Sequence, residues 1–422
     1  MAFTKATYDY LDAGGLINWQ LTAKTSAFTA VSGEGYLVDT SSAAVTVTLP
    51  TSPSAGDEII IVDYASNAGT NNITLDPGTL NLRGATDDLV LSTNNQTARL
   101  LYSGATKGWL VTTEAGAGAA AASTPALTVD YLVVAGGGGS ARYSSAGAGA
   151  GGLRTSYGST SGGGASAESA KTFSVGTNYT ITVGAGGAGE SSSNSVAGGN
   201  GSASSITGSD ITNVGTAGGG GGGRYSVNGL LGGSGGGIGQ LAGGGTPGAG
   251  TTSEGFAGGP LIDNNLASGG GGASQVGNTN GNAIGGDGVS VNILSSTNAT
   301  TSSVGQVIST DVFYAGGGGG ATLAVAPAVG SAGGNGGGGH GGSRVTPSQA
   351  TNGTPNTGGG AGGGQFNANG MNGGSGVVIL RYPDAYTITR GSGLTEASGS
   401  PFTEGSDKVS VFTDGTGTIT FS

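Results

Sequence analysis

Gly218-Gly-Gly-Gly-Gly-Gly223 is a run of six residues without a side chain, and how it is held decides the fold. It does not stand alone. Gly136–Gly139, Gly232–Gly237 (broken by Ser234), Gly243–Gly245, Gly269–Gly272, Gly316–Gly320, Gly333–Gly339 (broken by Asn335) and Gly358–Gly364 (broken by Ala361) repeat the theme. Glycine makes up 96 of the 422 residues. Ordering a glycine costs about 0.5–1 kcal/mol more than ordering an alanine. Side-chain packing cannot offset that cost in such runs. Backbone hydrogen bonds can, at about 1 kcal/mol net each, provided nearly every N–H and C=O finds a partner.

Four architectures compete for these runs. Collagen needs glycine at every third position with abundant proline; six contiguous glycines and only 11 prolines exclude it. A calcium-binding β-roll needs tandem Gly-Gly-x-Gly-x-Asp units, of which Gly285-Gly-Asp-Gly288 is a faint trace. Dinucleotide loops of the form Gly-x-Gly-x-x-Gly arise here from composition alone and sit at no clear strand-to-helix junction. What survives is a bundle of extended threefold polyglycine helices. Each rises about 3.1 Å per residue without internal hydrogen bonds and turns its backbone groups outward in three directions. Successive runs begin at irregular intervals, so a fixed-period solenoid is disfavoured.

Residues 1–114 read as an all-β domain, a sandwich or small barrel. Val45-Thr-Val-Thr-Leu49 and Ile73-Thr-Leu75 alternate with period two, and Ile59-Ile-Ile-Val62 suits a central strand. Turn residues at Ser52-Pro53, Asn67–Asn72, Asp76-Pro-Gly78 and Asn94-Asn95 separate them. Trp19 and Trp109 are expected in its core. An Ala/Gly linker follows over 115–128. The glycine-rich domain spans 129–383 and is framed by Asp130-Tyr-Leu-Val-Val134 and Val377-Val-Ile-Leu-Arg-Tyr382, expected to pair. Residues 384–422 read as a short β appendage, too small to stand alone.

The formal net charge is −11 and the pI near 4.3, which argues against nucleic acid as a partner. With no cysteine there are no disulfides and no thiolate metal ligands. The first ten residues lack the basic and apolar regions of a signal peptide, and no stretch is apolar enough to span a bilayer as a helix. Synthesis in a cytoplasm without membrane insertion is the expectation. No cofactor or metal is expected.

Asp130-Tyr-Leu-Val-Val-Ala-Gly-Gly-Gly-Gly139, Tyr179-Thr-Ile-Thr-Val-Gly-Ala-Gly-Gly187 and Gly373-Gly-Ser-Gly-Val-Val-Ile-Leu-Arg-Tyr382 together resemble the glycine-rich domains of bacteriophage tail fibres. They also resemble the distal tail-fibre adhesins of T-even-like phages, in which polyglycine helices stack and variable loops bind the host receptor. The resemblance covers about residues 129–383. Residues 1–114, with Gly33-Glu-Gly-Tyr-Leu-Val-Asp39, are similar to small β-domains of phage fibre proteins. The resemblance implies a virion fibre or adhesin that assembles with other tail or fibre proteins and contacts a host polysaccharide or outer-membrane protein. The alternative is a purely structural head, collar or tail fibre or decoration protein. A fibre must match the symmetry of its attachment site, so a homotrimer held chiefly by residues 1–114 is expected.

On such a scaffold recognition must come from the connectors, because the glycine segments carry almost no side chains. Aromatic and arginine side chains dominate binding surfaces. The receptor-binding candidates are Arg142, Tyr143, Arg224, Tyr225, Phe256, His340, Arg344 and Phe366. The two Arg-Tyr pairs, each close behind a glycine run, lead them. Against these stands a packing role, with rings over helix ends and arginines on free carbonyls. No catalytic residues are assigned: there is one histidine, and the acidic residues of the glycine-rich domain, among them Glu168 and Glu254, form no spaced pair.

Overall fold

The computed structural model describes residues 17–115, 127–191, 196–240, 245–261, 266–277, 283–322, 330–343, 350–365 and 368–422. The chain divides into two compact units, Met1–Ala126 and Leu127–Ser422.

In the first unit, strands β1 (Asn18–Lys24), β2 (Phe28–Thr29), β3 (Glu34–Val38), β4 (Val45–Thr48), β5 (Glu58–Asp63), β6 (Ile73–Asp76), β7 (Leu89–Leu91), β8 (Thr97–Tyr102) and β9 (Trp109–Ala115) form two sheets. Their orders are β1-β3-β5-β8-β9 and β2-β4-β6-β7. From β1 to β6 the chain alternates between the sheets, so β1, β3 and β5 run parallel, as do β2, β4 and β6. Inward residues of both sheets, such as Val38, Val47, Ile59, Ile61, Leu75 and Leu100, share one core, which makes this a sandwich. Ile59-Ile-Ile-Val62 lies on β5 at the centre of its sheet, as its apolar run predicts. Asp63 pins the expected turns. Its carboxylate is buried and accepts from the N–H groups of Asn67 (3.3 Å), Ala68 (3.2 Å) and Asn95 (3.0 Å). Trp109 is fully buried against Tyr102. Trp19 departs from expectation: it is 42% exposed, because it sits on edge strand β1, its indole lying over Gly35 of the neighbouring strand.

The second unit contains β10 (Thr128–Val134), β11 (Leu153–Thr155), β12 (Lys171–Thr172), β13 (Asn178–Val183), β14 (Ser204–Thr207), β15 (Val214–Thr216), β16 (Val289–Ser290), helix α1 (Ser296–Ser302), β17 (Gln306–Ile308), β18 (Asp311–Tyr314), β19 (Val377–Pro383), β20 (Ile388–Arg390), β21 (Leu394–Glu396), β22 (Phe402–Glu404) and β23 (Asp407–Phe421). The main sheet runs β11-β10-β19-β23-β13-β14-β15 and curls into a nearly closed barrel. Arg154 of β11 donates to the Gly215 carbonyl of β15 at 3.2 Å, linking the two end strands. The expected pairing of opening and closing strands holds: Asp130 to Val134 lie antiparallel to Arg381 to Val377.

Residues 384–422 are not peripheral. The 15-residue β23 pairs with β19 through its first half and with β13 through its second, occupying the middle of the sheet. The apolar run Val377-Val-Ile-Leu380 has no polar alternation because both sheet faces are covered. Val377 and Ile379 face a core shared with β16, β18 and Val304, while Val378 and Leu380 face one rich in Phe173, Tyr179, Phe412 and Phe421.

The glycine segments extend from the ends of these strands and bond to one another through backbone alone. Residues 135–140 show the threefold rule. Ala135 and Gly138 donate to Gly152 and Gly149; Gly136 and Gly139 donate to Ser202 and Gly199; Gly137 and Ser140 donate to Gly374 and Met371. Their carbonyls accept from three further segments, at Gly187 and Glu190, at Gly219 and Gly222, and at Ala361. Each third residue thus meets the same neighbour, the signature of a threefold helix in a hexagonal bundle. A β-carbon built on Gly220, Gly270 or Gly318 would collide with the carbonyl oxygens of Leu230, Ala148 and Ala361 respectively.

Glycine runs are not the sole material of the lattice. The segment Ser145-Ala-Gly-Ala-Gly-Ala-Gly-Gly152 is among its most enclosed, and Ala146, Ala148 and Ala150 are fully buried. Its amides donate to Gly364, Gly223, Ser268, Ala361, Gly220, Gly271, Gly358 and Ala217 in turn. Alanine is admitted because each of the three directions carries a methyl at one level and glycine at another.

Candidate functional site

Helical segment 135–140 leaves β10 and segment 145–152 returns to β11, so the connector 141–144 lies at the lattice end away from the barrel. Segment 217–223 leaves β15, which puts the turn beginning at Arg224 at that same end. The two connectors are neighbours because Ala146 N–H bonds to the Gly223 carbonyl at 2.8 Å.

Arg142, Tyr143 and Arg224 come together there. The Arg142 guanidinium carbon lies 4.7 Å from the centre of the Tyr143 ring, and that of Arg224 lies 5.2 Å from it. Both are within the range of cation–π attraction. Tyr143 and Ser144 have φ of 60° and 42°, a left-handed conformation that a bulky residue adopts only when its surroundings impose it. The Arg142 Nε is shielded from solvent without a hydrogen-bond partner among the described residues. Tyr225, next in sequence to Arg224, is 50% exposed.

A layer of buried polar side chains supports this end. Ser145 Oγ donates to the Ala141 carbonyl at 2.6 Å and accepts from Gly364 N–H at 2.7 Å. Ser140 Oγ accepts from Met371 N–H at 2.9 Å. Gln240 Nε2 reaches the Ala321 carbonyl at 3.4 Å, and Gln365 Nε2 donates to the Thr322 carbonyl. These groups satisfy backbone that the lattice leaves open at its edge, and they fix the connectors above it.

Two of the other candidates, Phe256 and His340, do not join this ring contact. Phe256 is at the opposite, barrel-facing end, where its ring approaches Gly164 and its N–H donates to the Gly272 carbonyl. His340 is exposed on segment 338–343, its N–H bonded to Thr351 Oγ1 at 2.8 Å. Arg344 and Phe366 lie outside the described residues.

A second polar constellation, with no signal in the sequence, sits at the barrel end. Arg154, Ala165, Ser166, Glu168, Thr252, Ser253 and Glu254 line a cleft of about 390 Å³. Arg154 grips Glu168 through two bonds, Nε to Oε1 at 2.6 Å and a terminal nitrogen to Oε2 at 2.8 Å. The Tyr131 hydroxyl donates to Glu168 Oε2 at 2.7 Å. Burial works to raise the Glu168 carboxyl, but the bonds from Arg154 and Tyr131 outweigh it and hold the group below the usual carboxylate range. Burial pushes the Glu254 carboxyl up, against the bond it accepts from Ala217 N–H at 2.7 Å. Gly152 makes room for that carboxylate, since a β-carbon there would meet Glu254 Oε2. Chain separation hid this pairing of acids. Glu168 comes from the loop after β11, and Glu254 from a turn between two lattice segments.

Among the described residues no group of three or more His, Cys, Asp or Glu side chains is placed to hold a metal ion, and no helix is long and apolar enough to cross a membrane.

A β-framed lattice of threefold backbone helices, with polar connectors at its free end, defines a class of glycine-rich scaffold protein. The model of a glycine-rich domain family matches residues 112–383, and the chain belongs to that family. No curated protein matches the chain.

Proposed function

We propose that this chain is a virion fibre or adhesin protein that attaches to a host cell surface through connectors displayed on the polyglycine lattice. The observation that carries the reading is the grouping of Arg142, Tyr143 and Arg224, beside exposed Tyr225, at the lattice end remote from the barrel. The lattice spends its backbone groups internally, so it has little to offer a partner except through its connectors. A rigid support beneath adaptable polar and aromatic side chains is what recognition of a surface requires. The phage-fibre assignment rests on the resemblance of the framing strands and glycine runs. In this reading the protein is made in the host cytoplasm, joins other virion proteins, and trimerises through residues 1–114.

Binding of the purified protein to intact bacterial cells tests attachment. Tyr143→Ala with Tyr225→Ala is expected to weaken it while the protein stays folded. Unchanged attachment by the folded double variant would move the purely structural virion role ahead. Sedimentation of the full chain tests assembly, and a monomer would refute the trimer.

A further inference from the structure

We infer that the outer face of the sheet β1-β3-β5-β8-β9 is the surface through which copies of this chain assemble. Trimerisation through residues 1–114, as read above, is the premise, and this face is the contact that carries it. A sheet with one wet face alternates apolar and polar residues, whereas a continuous apolar run belongs to a strand covered on both sides. Val377 to Leu380 obey this rule, each fully buried between two cores. Ile59-Ile-Ile-Val62 on β5 has the same character. Yet Ile59 and Ile61 alone are buried, in the sandwich core, while Ile60 and Val62 on the reverse face are partly exposed. The run is that of a twice-covered strand, and the sandwich covers it once.

The apolar character extends across the sheet. Leu37 of β3 and Leu101 of β8 lie on the same face as Ile60 and Val62, both partly exposed. At the β1 edge Trp19 lies over Gly35, and Leu21, two residues on and so on the same side, is 79% exposed. The other sheet of the sandwich is the control. Its outer face carries Thr46, Thr48, Thr74 and Asp76 behind buried Val45, Val47, Ile73 and Leu75, the alternation of a face left in water. Five strands about 4.8 Å apart, with about six residues each rising about 3.3 Å, give the apolar face sides of about 20 Å and about 400 Å² in projection. Exposed apolar patches of that size mark interaction surfaces.

A second copy of the chain is the occupant this face fits. The charged side chains at its described strand positions, Glu58 and Arg99, pair with each other at 2.6 Å, so the face asks no complementary charge of a partner. The chain carries 24 acidic against 13 basic residues, and copies repel where unpaired carboxylates meet. A face neutralised from within is where they can close. Its flatness is matched by another sheet face, since sheets pack face to face about 10 Å apart with their side chains interdigitated. Three such faces turned toward a threefold axis enclose one apolar core, with the middle strand β5 nearest the axis.

The test uses the full chain, and sedimentation is expected to show a trimer. The chain has no cysteine, so Val62→Cys and Thr46→Cys each place a single thiol, one at the middle of this face and one on the opposite outer face. A short bis-maleimide is expected to join copies through Val62→Cys and not through Thr46→Cys. Leu21→Lys with Val62→Lys brings like charges into the contact. It is expected to raise the protein concentration needed for assembly by about tenfold or more, with strand content by circular dichroism unchanged. Thr46→Lys with Thr74→Lys is expected to assemble as wild type does. Should the Leu21→Lys, Val62→Lys chain fail to fold, the cross-linking decides. A monomeric wild type would overturn the inference and the trimer together, and a shielded Val62→Cys thiol in that monomer would mean that the chain covers its own face. A trimer that persists in the folded Leu21→Lys, Val62→Lys chain, or that does not cross-link preferentially through Val62→Cys, removes this face and leaves the trimer standing. A dimer joined through Val62→Cys keeps the contact and refutes the trimer. Assembly through this face without attachment to bacterial cells keeps the contact and removes the adhesin reading.

Discussion

The two units of this chain solve the same problem by opposite means. The sandwich of β1–β9 orders its backbone by burying side chains, with Trp109, Ile59, Ile61 and Leu75 fully enclosed in one core. The lattice of the second unit buries backbone instead. Its segments approach so closely that a single added methyl at Gly220 or Gly318 meets a neighbouring carbonyl. In the sandwich, stability follows the volume of what is present. In the lattice it follows the absence of volume, and the side-chain energy is concentrated in the barrel that frames it.

The largest break in this comparison should come from Gly220→Val or Gly318→Val. Each would open several backbone bonds, at about 1 kcal/mol apiece, and leave buried amides that cost about 1–3 kcal/mol more when unpaired. Loss of the second unit's thermal transition is expected, whereas Gly215→Ala in β15, whose β-carbon would meet nothing closer than 3.9 Å, should be tolerated. Equal melting of Gly215→Ala and Gly220→Val would sink the backbone-lattice account. Removing residues 384–422 should be as damaging, because β23 pairs with both β19 and β13 and fills the place between them in the sheet; proteolysis of the truncated chain would report it.

Trp109→Ala supplies the opposite control. Truncating a buried aromatic costs about 3–5 kcal/mol, and calorimetry should show that loss in the first unit while the second melts unchanged. Tyr314→Phe sharpens the point within the second unit. Its hydroxyl is fully buried without a partner among the described residues, so deleting it should hold or raise stability by about 1 kcal/mol. A marked fall would mean that the hydroxyl is satisfied.

Smaller effects are expected from the barrel-end cleft. Glu168 has its folded-state pKa lowered below 4.5, so its contribution is present above that value and lost as pH falls through the folded pKa. Glu168→Gln should therefore destabilise the protein at neutral pH, and the difference from wild type should close in acid. Glu254 is raised above 4.5, so its contribution is present in acid and lost as pH rises through the folded pKa. Glu254→Gln, which keeps an acceptor for Ala217, should match wild type in acid and exceed it at neutral pH. Thermal scans across pH would show the two variants diverging in opposite directions. The smallest change is expected from Tyr225→Ala, whose stability should stay within about 0.5 kcal/mol of wild type because the ring is exposed.

The sequence by itself determined the material of each unit. Alternation in Val45–Leu49 and the apolar run at 59–62 define strands wherever they occur, and contiguous glycines admit only backbone-to-backbone order. The pairing of 130–134 with 377–381 was legible because both strands are apolar and flank the glycine region. Tertiary structure alone decided three things. It placed 407–421 at the centre of the sheet, since a strand's neighbours depend on which edges remain open, not on its own residues. It enlisted the Gly-Ala segment 145–152 as an enclosed helix, because a methyl is tolerated or forbidden by what faces it at that level. It also joined Arg142 and Tyr143 to Arg224, and Glu168 to Glu254, across long stretches of chain. A threefold helix carries no sequence period that names its neighbours; the hydrogen-bond demand of the whole bundle assigns them.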